Sequence, residues 1–322
     1  MDITKVSDNQ TQCANLVLSD KKRHGIIDGG HTFRQIIESK EWPKNDVPKF
    51  VQIEVITNVS HIEYLADARN MSVAVDPKSM EELRGSFESL KNVINNITIG
   101  DNRFIERVAF KQNEFWEEEN VNAIDAHEIV AIVNMFNPNL YNPLTNSHPI
   151  QSYTGKEVSL SKFIKLDGRT NQEGDKAFRD KVVNEMAPII PDIFRLWDTI
   201  ECGFPDAAKD LKRKYGTKPY SNYGNPKVKK VALFSNKTLE YSVPRGIMYP
   251  VVGAFRSLVE RDETTGLLRW SHNPFDAWQK AKAFIVETII DNSETYSHSP
   301  EHIGKSKIIW DNLYMFVRHN AK

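Results

Sequence analysis

The chain has 322 residues, with 42 Lys and Arg against 43 Asp and Glu, for a formal net charge of −1. Hydrophobic residues make up 40% and aromatics 10%, enough to bury a core and to exclude intrinsic disorder; the length suggests about two domains. Two cysteines, Cys13 and Cys202, exclude a disulfide framework and a Cys-rich zinc site. No apolar run reaches the roughly 18–20 residues that a bilayer requires, and the first residues lack the apolar stretch of a signal peptide. The expectation is a soluble, reduced, cytoplasmic protein with no membrane partner. The balanced charge still leaves room for a local basic surface.

In chain order, Leu16-Val17-Leu18 reads as a strand and Ser19–Arg23 as a turn. His24–Ile27 is a second short apolar run, halted by Asp28-Gly29-Gly30. Phe33, Ile36 and Ile37 then recur at helical spacing, predicting a short helix to about Lys40. Phe50–Ile56 alternates with period two and is rich in β-branched residues, the clearest strand pattern in the chain. Ser60-His61-Ile62-Glu63 fits a capping box opening a helix to about Ala68. Asp76-Pro77 precedes a stripe of Met80, Leu83, Phe87, Leu90, Val93 and Ile94 that predicts one amphipathic helix. Arg107–Phe110 reads as a strand. Asp125 caps a helix carrying Ile129, Val130, Val133 and Phe136, which Asn137-Pro138 ends. Further helical stripes run over about 175–187, 190–201, 246–260, 275–291 and 306–318. Trp197, Trp270, Trp278 and Trp310 fall on their apolar faces and read as core. The fold class is α+β: a mixed α/β domain over 1–118, then a mostly α-helical domain over 119–322.

The sharpest local feature is Asp28-Gly29-Gly30-His31-Thr32-Phe33-Arg34. Adjacent glycines before a helix permit positive φ and close approach of a ligand, and the helix start favours a phosphate. Asp28 and His31 are the candidate catalytic groups; Gly29, Gly30, Thr32 and Arg34 are candidate phosphate ligands. A ligand-free strand-to-helix turn explains the same residues. Arg69 and Asn70, at a predicted helix end, are further candidates for the pocket wall, because an arginine fork grips phosphate and Asn terminates helices. Asp28, Glu54 and Asp67 would suit a magnesium ion, with Lys156 joining them only if the fold returns its loop.

Between Lys209 and Lys230 there are eight Lys or Arg and one acid, Asp210. Lys212, Arg213, Lys214, Lys218, Lys227, Lys229 and Lys230 interleave with Tyr215, Tyr220 and Tyr223. Cations that neutralise phosphates beside rings that stack on bases point to single-stranded nucleic acid; a solvated charged loop is the alternative. The phosphate-loop, His-Glu-x-x-His and Gly-x-Ser-x-Gly signatures are missing from the sequence.

The glycine motif resembles that of the AIPR family, named for abortive infection and phage resistance. Val51–Thr57, Ala68-Arg69-Asn70-Met71-Ser72-Val73-Ala74-Val75, Ser79–Phe87, Phe136-Asn137-Pro138 and Ser152-Tyr153-Thr154-Gly155-Lys156 are similar to successive stretches of that family. The likeness covers about 24–165 and thins beyond. His31 stands where many relatives have glutamine. Little more than twenty residues precede the motif, where many members carry a long segment; the resemblance therefore implies a short form or one that has lost its upstream part. A weaker likeness links the turn to ParB-like and sulfiredoxin-like domains, which hold nucleotide phosphates, although Thr32 replaces their arginine. The implied role is anti-phage defence. One reading is a nuclease or nucleotide hydrolase acting on nucleotide or nucleic acid through the glycine turn; the other is a non-catalytic sensor of a phage component.

Overall fold

The computed structural model describes residues 2–8, 11–17, 25–26, 29–38, 51–56, 77–100, 102–111, 122–141, 148–166, 175–222 and 229–320. The chain divides into two compact units, Met1–Val75 and Asp76–Lys322. Few, short strands and a mostly helical second part bear out the α+β expectation. Among the described residues no helix is long and apolar enough to cross a membrane.

In the first unit, β1 (Asp2–Asp8) and β2 (Thr11–Val17) form an antiparallel hairpin, with Asp2 opposite Val17 and Asp8 opposite Thr11. Only the end of β2 was legible, because both strands are largely polar and lack the alternation that marks a half-buried strand. The predicted helix is α1 (Gly30–Glu38), with Arg34 Nε 2.7 Å from Glu38 Oε1 one turn on. Residues 51–56 correct an expectation: they form no strand, and Val51, Ile53 and Val55 are exposed. Alternation is a propensity, and a strand exists only where a neighbour completes its hydrogen bonds. Gly25 and Ile26 likewise carry no regular structure. The helix expected over 60–68 lies outside the described residues.

The second unit holds the core. The stripe from Met80 to Ile94 is two helices, α2 (Pro77–Leu83) and α3 (Glu88–Ile94), separated by a turn in which Gly85 takes φ +68°. Phe87, Leu90 and Ile94 are nonetheless buried together. Two-residue ladders follow: β3 (Thr98–Ile99) with β4 (Asn102–Arg103), antiparallel, and β5 (Val108–Ala109) with β6 (Ile124–Asp125), parallel. Asp125 caps α4 (Ala126–Met135) as expected, its Oδ1 accepting from His127 N at 2.7 Å. Lys78 Nζ reaches the other oxygen of Asp125 at 2.9 Å.

The short helices α5 (Ile150–Thr154) and α6 (Lys156–Ile164) escaped the sequence reading; α7 (Lys176–Met186) did not. The long helix α8 (Ile190–Asp210) runs nine residues past the expected end, through Pro205. Phe104, Phe194 and Phe234 meet at centroid distances of 5.0 and 4.7 Å, with Trp197 edge-on to Phe234 and to Tyr249. At the centre lies α9 (Arg245–Ala254), buried at every residue from Gly246 to Ala254. It gives way to a 3-10 turn over Phe255–Leu258, then β7 (Val259–Arg261) paired with β8 (Leu268–Trp270). Trp270 is therefore on a strand, not a helix, and meets Phe136 edge-on at 5.8 Å. Helices α10 (Pro274–Thr295), α11 (Pro300–Lys305) and α12 (Lys307–Asn320) pack around α9 and α8, burying Trp278 and Trp310.

Small residues set how closely these helices approach. A Cβ on Gly246 would lie 2.0 Å from the Pro300 carbonyl oxygen, one on Gly304 2.4 Å from Tyr153, and one on Gly253 2.5 Å from Trp310.

Candidate functional site

The helix expected after the glycine pair forms, beginning at Gly30. Gly29 takes φ +83°, its carbonyl accepts from Phe33 N at 3.0 Å, and among the described residues nothing lies within 4 Å of a Cβ placed on Gly29 or Gly30. His31, Thr32 and Arg34 are exposed on the first turns of α1. Arg34 is engaged by Glu38. Asp28, Asp67, Arg69 and Asn70, and with them the expected convergence of Asp28, His31 and Arg69, lie outside the described residues. Glu54 is exposed, and among the described residues no three His, Cys, Asp or Glu side chains cluster as a metal site.

The basic stretch is placed differently from its expected use. Tyr215 and Tyr220 are buried, Tyr215 Oη donating to Ser242 O at 2.7 Å and Tyr220 Oη lying 3.1 Å from Ser293 Oγ. Rings held inside by their own hydroxyl bonds cannot present a face to a base, which corrects the stacking role assigned to these two. Arg213 pairs with Asp291 at 2.8 Å and Lys218 with Glu294 at 2.7 Å, both on α10. Lys230 Nζ bonds Asn222 Oδ1 at 2.6 Å. Lys212, Lys214 and Lys229 are exposed; Tyr223 and Lys227 lie outside the described residues.

The most elaborate polar construction in the second unit is one the sequence did not single out as a set. Glu128 of α4 and Glu201 of α8 are both buried, and Arg245, the first residue of α9, lies between them. Arg245 Nε is 3.1 Å from Glu128 Oε1, and Nη1 donates to Glu201 Oε1 at 3.2 Å. Tyr249 Oη donates to Glu128 Oε1 at 3.0 Å, and Lys156 Nζ bonds Glu128 Oε2. Glu201 Oε2 accepts from Leu233 N at 2.9 Å. The Arg245 guanidinium stands 5.3 Å from the Trp197 ring centre. Burial raises the Glu201 carboxyl above its ordinary range, against the pull of Arg245. Burial works against the Arg245 charge, but Glu128 and Glu201 outweigh it and hold the guanidinium protonated. Burial, then the Glu128 charge, lifts Tyr249 well above the usual phenol range.

This network floors a cleft of about 690 Å³ lined by Tyr153, Thr154, Lys230, Val231, Leu239, Ser242–Gly246, Ser299–Glu301 and Lys305. About a third of the Arg245 side chain, 35%, remains exposed. Lys230, Val231 and Leu239 on its border are the two ends of a turn over 231–238 that α8 holds from beneath. Phe234 N and Ser235 N donate to the two oxygens of Asp198 at 2.9 and 2.6 Å, three residues before Glu201 takes Leu233 N. The available sequence signal was an acid inside an apolar helical stripe: Glu201 follows Trp197 by one turn and sits beside Ile200. Such a residue is buried only when paired.

A second buried cluster lies apart from the cleft lining. His148, 2% exposed at its side chain, receives Arg256 Nη2 at Nδ1 (3.1 Å) and therefore carries its proton on Nε2, facing Asp311 Oδ1. Burial depresses His148, with Asp311 pulling the other way.

The family profile described as "AIPR protein" matches residues 2–304. The chain belongs to the AIPR family. The match runs well past residue 165, where the legible likeness ended, and takes in the glycine turn of one unit and the Glu128–Arg245–Glu201 cluster of the other. Support for the ParB-like likeness does not come with it. Neither the curated proteins nor the solved structures yield a match.

Proposed function

We propose that this AIPR protein acts in anti-phage defence of the abortive-infection kind, and that its helical unit recognises a ligand in the cleft above Arg245. Family membership supports the defence role. The observation that carries the site is a guanidinium fixed between two buried carboxylates while a third of its side chain faces an open cleft. Clefts of this size with a few convergent polar groups are the usual form of small-ligand sites. The test is a phage-challenge assay on cells carrying Thr154→Trp, which sets a bulky indole into the cleft from an exposed lining position on α5. Phage restriction is lost while the thermal unfolding of the purified protein is unchanged. Full restriction by a folded Thr154→Trp protein refutes the cleft reading.

A second reading rests on the positive φ of Gly29 at the start of α1, with His31 and Thr32 exposed on its first turn. There the turn binds nucleotide or nucleic-acid phosphate and His31, with Asp28, assists cleavage. His31→Ala then removes nucleotide or oligonucleotide turnover, measured with and without magnesium; turnover equal to that of the unaltered protein refutes it.

A further inference from the structure

Three cations from three separate elements line the same cleft: Arg245 at the start of α9, Lys230 at the edge of the 231–238 turn, and Lys305 at the end of α11. Each has a partner, yet none is used up. Lys230 bonds the Asn222 side-chain oxygen and the Glu240 carbonyl, both neutral acceptors. Lys305 pairs with Glu301 across one exposed helical turn, an interaction of the weak, water-screened kind. Arg245 spends Nε and one Nη1 hydrogen on its carboxylates out of five donor hydrogens, and about a third of its side chain stays exposed. Behind the cleft, Lys156 offsets Glu128. The lining itself carries Lys230, Arg245 and Lys305 against Glu201 and Glu301, an excess of one positive charge. The first turn of α9 also receives no side-chain cap from Pro244, so the positive end of that helix adds to the same potential.

We propose that the cleft binds a phosphorylated small molecule, its phosphate oxygens taken by Arg245, Lys230 and Lys305 and its less polar part lying against Tyr153, Val231, Leu239 and Val243. A carboxylate is planar and is satisfied by one arginine fork; cations approaching from three elements suit a phosphate, whose oxygens point in several directions. Ser242, Ser299 and Thr154 also line the same space. The apolar side and the volume of about 690 Å³ leave room for more than an inorganic ion. This inference rests on the cleft reading above and specifies its ligand.

The test is calorimetric titration of the full chain with ATP and with inorganic pyrophosphate, using citrate as a carboxylate of comparable charge. ATP and pyrophosphate are expected to bind at least tenfold tighter than citrate. Binding is expected to weaken with added salt and to fall at least tenfold in Lys230→Gln and in Lys305→Gln, which leave the buried network intact. Arg245→Lys, which keeps the charge and loses the fork, weakens binding further. Absence of ATP and pyrophosphate binding at millimolar concentration overturns the proposal, as does citrate binding equally well. Binding that survives both lysine substitutions but disappears in His31→Ala overturns it too, by placing the phosphate at the glycine turn. Loss of restriction in Thr154→Trp without any phosphate binding refutes the ligand class alone; full restriction in that variant refutes the cleft itself.

Discussion

Replacing Arg245 by Met keeps an unbranched stem of similar reach but removes the cation between two carboxylates whose side chains are only 6% and 5% exposed. Deleting one partner of a buried ion pair costs about 3–5 kcal/mol, because a charge is left behind with nothing to face it. Water reaches the 35% of the Arg245 side chain that is exposed, and Lys156 still holds Glu128. The lower end therefore applies, about 3 kcal/mol, which for a unit of this length lowers Tm by about 6–12 °C. The loss depends on pH. Without the guanidinium, burial raises the Glu201 carboxyl further above its ordinary value near 4.5. The folded state then binds more protons than the unfolded chain above that pH, so stability falls as pH rises. Thermal melts at pH 5 and pH 8 check this: the variant is closest to the unaltered protein at pH 5 and furthest at pH 8, and adding Glu201→Gln restores part of the loss at pH 8. Equal losses at both pH values, or a loss below about 1 kcal/mol, would show that Arg245 does not neutralise these carboxylates.

Asp125→Ala removes both the cap of α4 and the carboxylate bonded by Lys78, whose side chain is 5% exposed, so it destabilises by about 2–3 kcal/mol in chemical denaturation, whereas Asp125→Asn keeps most of the cap and loses only the charge. Burial opposes ionisation of Asp125, but bonds from His127 and Lys78 outweigh it and hold the carboxyl well below the usual range; its contribution is therefore present above about pH 4 and disappears as pH falls through that depressed value. His148, depressed by burial, gives the same sign at higher pH: the unfolded chain takes up its proton first as pH falls below about 6.5, and stability declines. His148→Gln can still donate to Asp311 and accept from Arg256, so its Tm is expected to lose the part of the acid slope between pH 5 and 6.5 that the imidazole causes; an unchanged slope refutes that assignment. Gly304→Ala, whose methyl would lie 2.4 Å from Tyr153, costs about 1–3 kcal/mol by overpacking, read as a lower Tm.

Much of the helical unit was legible because its helices bury one long face. The stripes that became α7, α8, α10 and α12 are periodic, and Asp125 announced its cap directly. The failures have physical causes. Met80–Ile94 reads as one stripe, yet a turn at Gly85 breaks it into two helices, and Phe87, Leu90 and Ile94 beyond the turn reach the core. Residues 51–56 alternate as a strand does, but pairing is a property of the neighbour and not of the segment. The hairpin β1–β2 is the converse, backbone pairing without apolar alternation. In the site, local motifs were readable and convergence was not. The turn at Gly29 forms within a few residues, whereas Glu128, Glu201 and Arg245 meet across more than a hundred positions of chain. Tyr215 and Tyr220 show the limit from the other side, since a tyrosine in a basic loop reads as a stacking surface until its hydroxyl is found bonded inside.

Asp198 and Glu201 stand one helical turn apart on α8 and together take three successive main-chain N–H groups, those of Leu233, Phe234 and Ser235. Peeling this loop away would strip Asp198 of its donors and leave Glu201 with Arg245 alone, so the loop is held in place whether or not anything occupies the space beside it. A guest arriving on that side meets a surface whose ordering entropy was already spent during folding, and shape selection there becomes stricter than a loose loop would permit.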